Sequence, residues 1–321
     1  MEIPQELKLA IEDTINNIKH KNLVINSEAI SDKYKNHSGL GKSLITNTEE
    51  ASTYSVVRMP ATFGAVYSAL NFTLNLYNEE LTSLIDFGAG TGAATWACNE
   101  MLNLKEITCL EREDAMISIG SSLMKKSNSL LREAKWIKYD LTKDSINNKG
   151  DIVVSSYVLN ELSDSDRLKA IDKMWDSTNK VLLIIEPGTP VGSQNLMNAR
   201  EYLIKKGAHI IAPCPHENIC TLEKEQWCHF SCRIPRSKLH RELKKADAAY
   251  EDEKFAYIAV SRSDNKKAEA RILRHPIIKK GRVQIEVCTK EEIKKVELYK
   301  KHGDAYKKAR KADWGHEIDL I

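Results

Sequence analysis

No apolar run in the chain approaches the length of a membrane span, so no segment offers the roughly twenty apolar residues that a helix needs to cross a bilayer. The N-terminus, Met1-Glu2-Ile3-Pro4-Gln5-Glu6, is acidic and lacks both the apolar stretch of a secretory signal and the Arg-rich pattern of a transit peptide. Internal repeats and low-complexity tracts are absent, which excludes a solenoid. Cysteine is scarce, with seven residues in 321. The number is odd and three of them fall within fifteen residues of one loop, which fits a reducing compartment and metal ligation better than a disulfide framework. These absences predict a cytoplasmic protein.

At 321 residues the chain suits one large domain, or one domain with additions, and can bury a sizeable core without disulfides. Its net charge of +3 conceals a division. Residues 1–200 carry 21 Lys and Arg against 26 Asp and Glu, a balance of −5, and residues 201–321 carry 27 against 19, a balance of +8. The basic part fits an anionic partner, most simply nucleic acid, and a Lys-rich solvated surface accounts for it as well.

Apolar residues at Leu7, Leu9, Ile11, Ile15 and Ile18 predict a helix over residues 5–20. Residues 20–50 are polar and predict a second helix and a loop. Pro60, in Arg58-Met59-Pro60-Ala61-Thr62, suits the first turn of a further helix reaching Tyr77. Beyond it, predicted strands at Ser83–Phe87, Glu106–Glu111, Lys135–Tyr139, Asp151–Tyr157 and Lys180–Glu186 alternate with predicted helices at Ala93–Leu102, Ala115–Lys126, Ser163–Asp176 and Ser193–Lys206. Such alternation means an α/β fold, a parallel sheet covered on both faces. Two late strands, Phe255–Ser261 and Val283–Cys288, are expected to finish the sheet, and Lys290–Trp314 to form a Lys-rich helix and tail. The expected organisation is a helical N-terminal region (1–80), a Rossmann-like core (81–207), a Cys-rich insert (208–250), and the last core strands with a basic tail (251–321).

The first predicted strand runs into Asp86-Phe87-Gly88-Ala89-Gly90-Thr91-Gly92. Glycines there let the backbone turn with positive φ and approach a ligand closely. The stretch Gly88-x-Gly90-x-x-Ala93 also fits the dinucleotide fingerprint. Three features favour S-adenosylmethionine. Asp86 stands where a carboxylate can face the ligand's methionyl ammonium. About eighty residues of helical leader precede the loop, whereas dinucleotide folds often start at the fingerprint. Glu111 ends the second strand, 19 residues past Gly92, where an acid can take both ribose hydroxyls. Asp140, after the third strand, is placed to meet the adenine amino group. Taken singly, Asp140 fits a turn cap as well, and Glu111 fits one of several solvated acids in Glu111-Arg112-Glu113-Asp114. As an ordered set, Asp86, Gly88, Gly90, Gly92, Glu111 and Asp140 form a Rossmann-type ligand site. Cys98 and Cys109 lie on apolar faces and read as buried small hydrophobes.

The fourth strand ends in Ser155-Ser156-Tyr157-Val158-Leu159-Asn160-Glu161-Leu162, the edge that often supplies catalytic groups in class I methyltransferases. No Asn-Pro-Pro-Tyr occurs, which argues against methylation of adenine's exocyclic amine through that motif. No Pro-Cys stands at this edge to offer a thiolate to cytosine; Pro213-Cys214 lies after the fifth strand. Asn160 and Glu161 are the candidate catalytic groups, although a strand-to-helix corner with Ser163 capping the next helix explains the segment equally.

The other candidate site is made of Cys214, Cys220, Cys228 and Cys288. Three of them fall within fifteen residues as Cys214-x5-Cys220-x7-Cys228, and Cys288 follows sixty residues later. This is neither the paired spacing of zinc ribbons nor the close run of bacterial ferredoxins. Four thiolates accept zinc or an iron–sulfur cluster alike, His216, His229 and Cys232 are rival ligands, and thiols without a metal remain the third reading. Arg233, Arg236, Lys238, Arg241, Lys244 and Lys245, then Arg271, Arg274, Lys279, Lys280 and Arg282, suit phosphate contacts. Trp227 and Phe230 suit stacking on bases or packing against the metal site.

Together, Arg58-Met59-Pro60-Ala61-Thr62, Asp86–Gly92, Ser156–Leu162, Glu186-Pro187-Gly188-Thr189-Pro190, Cys214-Pro215-His216 and Trp227-Cys228-His229-Phe230 resemble the small-ribosomal-subunit methyltransferase-like family over about residues 50–290. The resemblance implies a class I S-adenosylmethionine-dependent methyltransferase (Rossmann-like) fold with a helical leader and a metal-binding insert. It further implies association with the small ribosomal subunit and its ribosomal RNA, and a 4Fe-4S cluster on Cys214, Cys220, Cys228 and Cys288. The expected protein is a monomer that docks on the particle, with no membrane partner, in the bacterial cytoplasm or, for a eukaryotic chain, the mitochondrial matrix. The alternatives are a non-catalytic assembly factor and a small-molecule methyltransferase with a structural zinc site.

Overall fold

The computed structural model describes residues 2–36, 44–222 and 225–320. The chain forms two compact units. One comprises Met1–Ser68, Glu80–Leu182 and Cys232–Glu253, and the other Ala69–Glu79, Leu183–Ser231 and Lys254–Ile321.

The first unit begins with α1 (Gln5–Ile15), α2 (His20–Asn36) and α3 (Thr48–Val57), and with α4 (Met59–Leu74), which runs on into the second unit. The single helix expected over residues 5–20 ends earlier, and a new helix starts at His20. Part of the loop expected before residue 50, residues 37–43, lies outside the described residues. Helix α3 is fixed at its start by reciprocal bonds. Asn47 accepts the Glu50 N–H at 2.9 Å, and the Glu50 carboxylate accepts the Thr46 N–H at 2.9 Å. Glu50 also pairs with Lys33 of α2 at 2.8 Å, tying the two helices together.

Strands β1 (Ser83–Phe87), β2 (Glu106–Glu111), β3 (Lys135–Lys138) and β4 (Gly150–Ser156) form a parallel sheet in the order β3-β2-β1-β4, with β5 (Thr178–Pro187) beyond β4. Ile85 pairs with Thr108 on one side and Val153 on the other. The helices α5 (Ala93–Met101), α6 (Asp114–Lys125) and α7 (Asp164–Asp176) follow β1, β2 and β4. Leu84, Ile85, Ile152, Val153 and Val154 are all buried, as expected of strands covered on both faces. Ser163 caps α7 by accepting the Asp166 N–H at 3.3 Å, so the capping role expected of Ser163 is present beside Asn160 and Glu161. Strand order reverses between β1 and β4, and the crevice outside the carboxyl ends at such a reversal is where α/β sheets bind ligands.

The second unit takes the end of β5 and then α8 (Pro190–Lys205), capped by Thr189 with Pro190 in its first turn. Strand β6 (His209–Ala212) runs antiparallel to β8 (Tyr250–Ser261), Ile210 opposite Val260. Between these strands the chain forms the cysteine-bearing loop, then β7 (Phe230–Pro235) and α9 (Lys238–Lys244), which from Cys232 onward belong to the first unit.

A separate antiparallel sheet completes this unit: β9 (Ala270–Ile272), β10 (Ile277–Lys279), β11 (Arg282–Thr289), β12 (Ile293–Tyr299) and β13 (Glu317–Ile318), with α10 (Gly303–Lys311). Ile272, Val283, Ile285, Val287, Leu298 and Tyr306 form its core. Two expectations are corrected here. Val283–Cys288 does not finish the first sheet, because β11 pairs with β9, β10 and β12. Lys290–Trp314 is not one Lys-rich helix, because its first part is β12, held to β11 from Ile293 to Tyr299.

Candidate functional site

At the end of β1 the Asp86 side chain is fully buried. Its Oδ2 accepts the Thr95 N–H at 3.2 Å and the Thr95 hydroxyl at 2.7 Å, while Oδ1 has no partner among the described residues. Burial pushes the carboxyl up to about 7, against the pull of Thr95, and the charge of Glu111 adds to the rise. A buried acceptor without a donor is a place where a ligand ammonium gains a strong bond. Gly88, at φ +69°, lets this loop close on the end of β4, since a Cβ there would stand 2.4 Å from Val158 Cγ2. Gly90, at φ +56°, faces open space: a Cβ there would meet no atom within 4 Å. Gly92 precedes α5 at φ +90°.

Glu111 is buried at the end of β2 and accepts the N–H groups of Gly90 and Arg112, both at 2.8 Å, and of Glu113 at 2.9 Å. It is therefore not one of several solvated acids. A carboxylate has about four acceptor positions, so one remains for a ligand hydroxyl. Asp140 does cap a turn, taking the N–H and hydroxyl of Thr142 at 3.0 and 2.6 Å, with Lys143 at 3.1 Å. Burial raises its pKa, but the Thr142 and Lys143 bonds outweigh that and leave it below the ordinary value.

After β4 the chain turns through Tyr157, a non-glycine residue at φ +63°, into a short helical turn at Leu159–Glu161. Burial and the nearby Glu111 charge push the Glu161 carboxyl up to about 7, with Arg112 opposing. Among the described residues nothing hydrogen-bonds that carboxyl. The helical leader contributes groups to the same region. Tyr34 of α2 and Tyr54 of α3 lie ring to ring at 6.0 Å, and the Arg58 guanidinium stands 6.0 Å above Tyr34. Both tyrosines are raised by burial, and both feel the charge of Glu161. In the sequence Arg58 and Tyr157 stand only as parts of longer motifs, and no motif marks Tyr34 or Tyr54. The four-residue spacing of Tyr54 and Arg58 is the signal that places them on one helix face.

In the second unit, Cys214, Cys220, Cys228 and Cys288 line one cavity, as their sequence positions alone did not require. Four thiols around one cavity are a donor set that either a zinc ion or an iron–sulfur cluster accepts. Of the rival ligands, His216 lines the cavity with Nε2 3.6 Å from Cys288 Sγ. His229 Nδ1 lies 3.1 Å from the Trp227 carbonyl, and Cys232 belongs to the first unit, beside Gly64. Burial raises the thiols of Cys214, Cys228 and Cys288, the last to about 12, with Arg200 opposing at Cys214 and Cys288.

Two buried arginines clamp the cysteine loop. Arg200 donates to the His216 and Asn218 carbonyls at 2.9 and 2.8 Å, and Arg271 to that of Pro213 at 3.0 Å. Arg271 also bonds Gly315 and Glu317. At 1% exposure it cannot make the phosphate contact expected of it. Phe230 is likewise buried, against Phe72, Phe255 and Tyr257, and is closed to a base. Trp227 donates to the Gly188 carbonyl at 3.0 Å and stacks on His229. Arg233, Arg236 and Arg282 are paired with Asp252, Glu251 and Glu297.

The model of the family described as mitochondrial small ribosomal subunit Rsm22 matches residues 48–319. The human protein named "Ribosome assembly protein METTL17, mitochondrial" is 29% identical over 291 residues, covering 84% of this chain and 62% of that protein. The "Rsm22-cox11 tandem protein 2, mitochondrial" of Schizosaccharomyces pombe is 24% identical over 224 residues, covering 53% of this chain and 29% of that one. The chain therefore spans less than two thirds of the length of either relative. Similar solved structures include magnesium protoporphyrin IX methyltransferase from Synechocystis with bound S-adenosylhomocysteine, at 12% identity, TM-score 0.43, and 81% of this chain on 100% of that one. Another is the N-methyltransferase NodS from Bradyrhizobium japonicum, at 13% identity, TM-score 0.40, and 61% of this chain on 84% of that one.

Proposed function

This chain belongs to the mitochondrial small ribosomal subunit Rsm22 family, and on that premise we propose that it acts in assembly of the small ribosomal subunit, binding an S-adenosyl ligand in its first unit and a 4Fe-4S cluster in its second. The observation that carries the assembly role is the 29% identity, over 84% of the chain, with a protein named for ribosome assembly. The mitochondrial names of the curated relatives support the mitochondrial matrix for a eukaryotic chain. A bacterial chain would work in the cytoplasm.

For the S-adenosyl ligand, Asp86 Oδ1 would take the ammonium, the backbone at Gly88, Gly90 and Gly92 would lie along the ligand, Glu111 would take a ribose hydroxyl, and Asp140 would face the adenine. When bound, S-adenosylmethionine supplies a methyl group on a sulfonium. For the cluster, Cys214, Cys220, Cys228 and Cys288 would be the ligands, held in place by Arg200 and Arg271. The four thiols that line one cavity support a metal centre at this place. Its role is to fix the loop that follows β6.

A second reading, methyl transfer to small-subunit ribosomal RNA, is favoured by the Glu161 carboxyl. With no hydrogen-bond donor among the described residues and a pKa near 7, it suits removal of a proton from an acceptor nitrogen or hydroxyl at neutral pH. Asn160, its neighbour, would position the acceptor. The test mixes anaerobically purified protein, labelled S-adenosylmethionine and small subunits from cells lacking the protein, as a monomer docking on the particle. Particle binding with label in the RNA supports both readings. Binding without label leaves the assembly role alone, and no binding overturns it.

A further inference from the structure

We propose that one edge of the second sheet is an RNA-binding surface, on which Lys279, Lys280, Lys300 and Lys301 take the phosphates of a double-helical RNA segment. This rests on the reading that the protein works on the small ribosomal subunit, and it names the part of the chain that meets the RNA.

These lysines come from two separate segments of the sequence, and strand pairing brings them together. Lys279 of β10 and Tyr299 of β12 both lie opposite Arg282 of β11, so the three residues form one row across three strands. Residues paired in this way share a face, and neighbouring strands are about 4.8 Å apart, so Lys279 and Tyr299 stand roughly 10 Å from each other. At the end of the row the Lys300 N–H donates to the Gly281 carbonyl at 3.2 Å. That bond closes the β10–β11 turn, which carries Lys280, onto the helical turn Lys300–His302.

The charge at this edge is unbalanced. All four lysines are exposed, and among the described residues none makes an ion pair. Glu297, in the next row, is already engaged: its carboxylate accepts Arg282 at 3.2 Å and the Tyr299 hydroxyl. Asp304, at the start of α10, pairs with Lys307 at 3.0 Å. Of the late cations expected to meet phosphate, Arg271 is buried, Arg274 bonds the Leu273 carbonyl and Arg282 is paired. Lys279 and Lys280 stay open, and the fold sets Lys300 and Lys301 beside them.

The chemistry selects the partner. Lysines present point charges, which neutralise phosphates without reading bases. The aromatic ring of the row, Tyr299, has its hydroxyl on Glu297, with Lys301 and His302 against the ring at 5.9 and 5.8 Å. A splayed base could stack there only by displacing them. The edge therefore suits the regular backbone of a double helix better than a single strand.

The experiment titrates an RNA duplex of about 16 base pairs against anaerobically purified protein over a range of salt concentrations. It compares wild type, Lys279→Gln/Lys280→Gln, Lys300→Gln/Lys301→Gln, and a control, Lys105→Gln/Lys135→Gln, which removes two exposed lysines of the first unit. Each sheet-edge variant is expected to flatten the slope of log affinity against log salt by about 2, and to lose roughly ten- to a hundredfold in affinity at about 0.1 M salt. The control should stay near wild type. Losses matched by the control would assign the effect to net charge, and unchanged slopes would take the lysines off the RNA; either result overturns the proposal. A loss confined to phosphatidylserine vesicles, or to a single strand of the same RNA, overturns it as well. The same proteins are then mixed with small subunits from cells lacking the protein. A wild type that binds no small subunits overturns the assembly reading, whereas variants that bind them as wild type does overturn the surface alone.

Discussion

Tyr157 donates its hydroxyl to Glu253 Oε1 at 2.8 Å from a backbone held at φ +63°. A non-glycine residue in that region carries strain of order 1 kcal/mol, so neighbouring contacts must hold it. Tyr157→Phe removes a donor to a carboxylate and is expected to lower stability by roughly 1.5–3 kcal/mol. Urea unfolding checks it. Unchanged values would show that the hydroxyl holds nothing in place.

Gly88 and Val158 form a second coupled pair. A Cβ at Gly88 would stand 2.4 Å from Val158 Cγ2, on a backbone at φ +69°. Gly88→Ala is expected to cost roughly 2–4 kcal/mol, part backbone strain and part overlap. Adding Val158→Ala removes the overlap and should recover part of that loss, leaving the backbone share. Simple addition of the two single costs in denaturation would mean that the contact is not what requires glycine.

His240 gives the fold an acid limit. It is 2% exposed, with Nε2 3.6 Å from Glu251, which Arg236 also holds at 3.0 Å. Burial pushes the imidazole down to about 4, outweighing the upward pull of Glu251. Between about pH 4 and 6.5 the unfolded chain therefore binds a proton that the folded chain does not, so stability rises with pH across that window and is lost on acidification. The loss from this group reaches up to about 3 kcal/mol. Urea midpoints measured from pH 4 to 7 should differ between wild type and His240→Gln by that slope, since the opposing contribution of Asp86 is common to both. The same slope in the variant would assign it to other groups.

The parallel core was legible because local signals agree there. Aliphatic runs end at Asp86, Glu111 and Tyr157, and β1 and β2 begin and end where the sequence puts them. The second sheet was not, because its partners are non-local. Val283–Cys288 reads as a strand, but the residues that claim it lie in Ile293–Tyr299, whose Lys and Glu content resembles a solvated helix until the pairing with β11 is seen. Arg271 failed differently. Its charge predicts the surface, and only the carbonyls of Pro213 and Gly315 around it explain its burial. The convergence of Cys288 on the loop cysteines likewise depends on where β11 packs, which spacing alone does not fix.

Asp86 offers a test in which ligand binding and stability move in opposite directions. Its carboxyl sits near pKa 7 because it is buried with Oδ1 unpartnered. An ammonium placed on Oδ1 favours the carboxylate, so binding below pH 7 must expel a proton. Affinity for S-adenosylhomocysteine should therefore rise up to about tenfold per unit from roughly pH 5 to 7 and then level off. Asp86→Asn should bind more weakly at pH 8 and lose the slope. The free protein behaves the other way. The folded pKa lies above the ordinary value of 3.8, so between about pH 4 and 7 the folded state holds a proton that the unfolded state has released. That contribution is fully present at low pH and lost as pH rises through 7. Asp86→Asn should then raise the urea midpoint at pH 8, by as much as about 4 kcal/mol in stability, and raise it far less at pH 4. A variant that binds poorly yet unfolds later at pH 8 identifies a carboxylate kept for a cationic ligand. A variant that unfolds earlier at pH 8 identifies Asp86 as a structural partner of Thr95 and removes it from the ligand site.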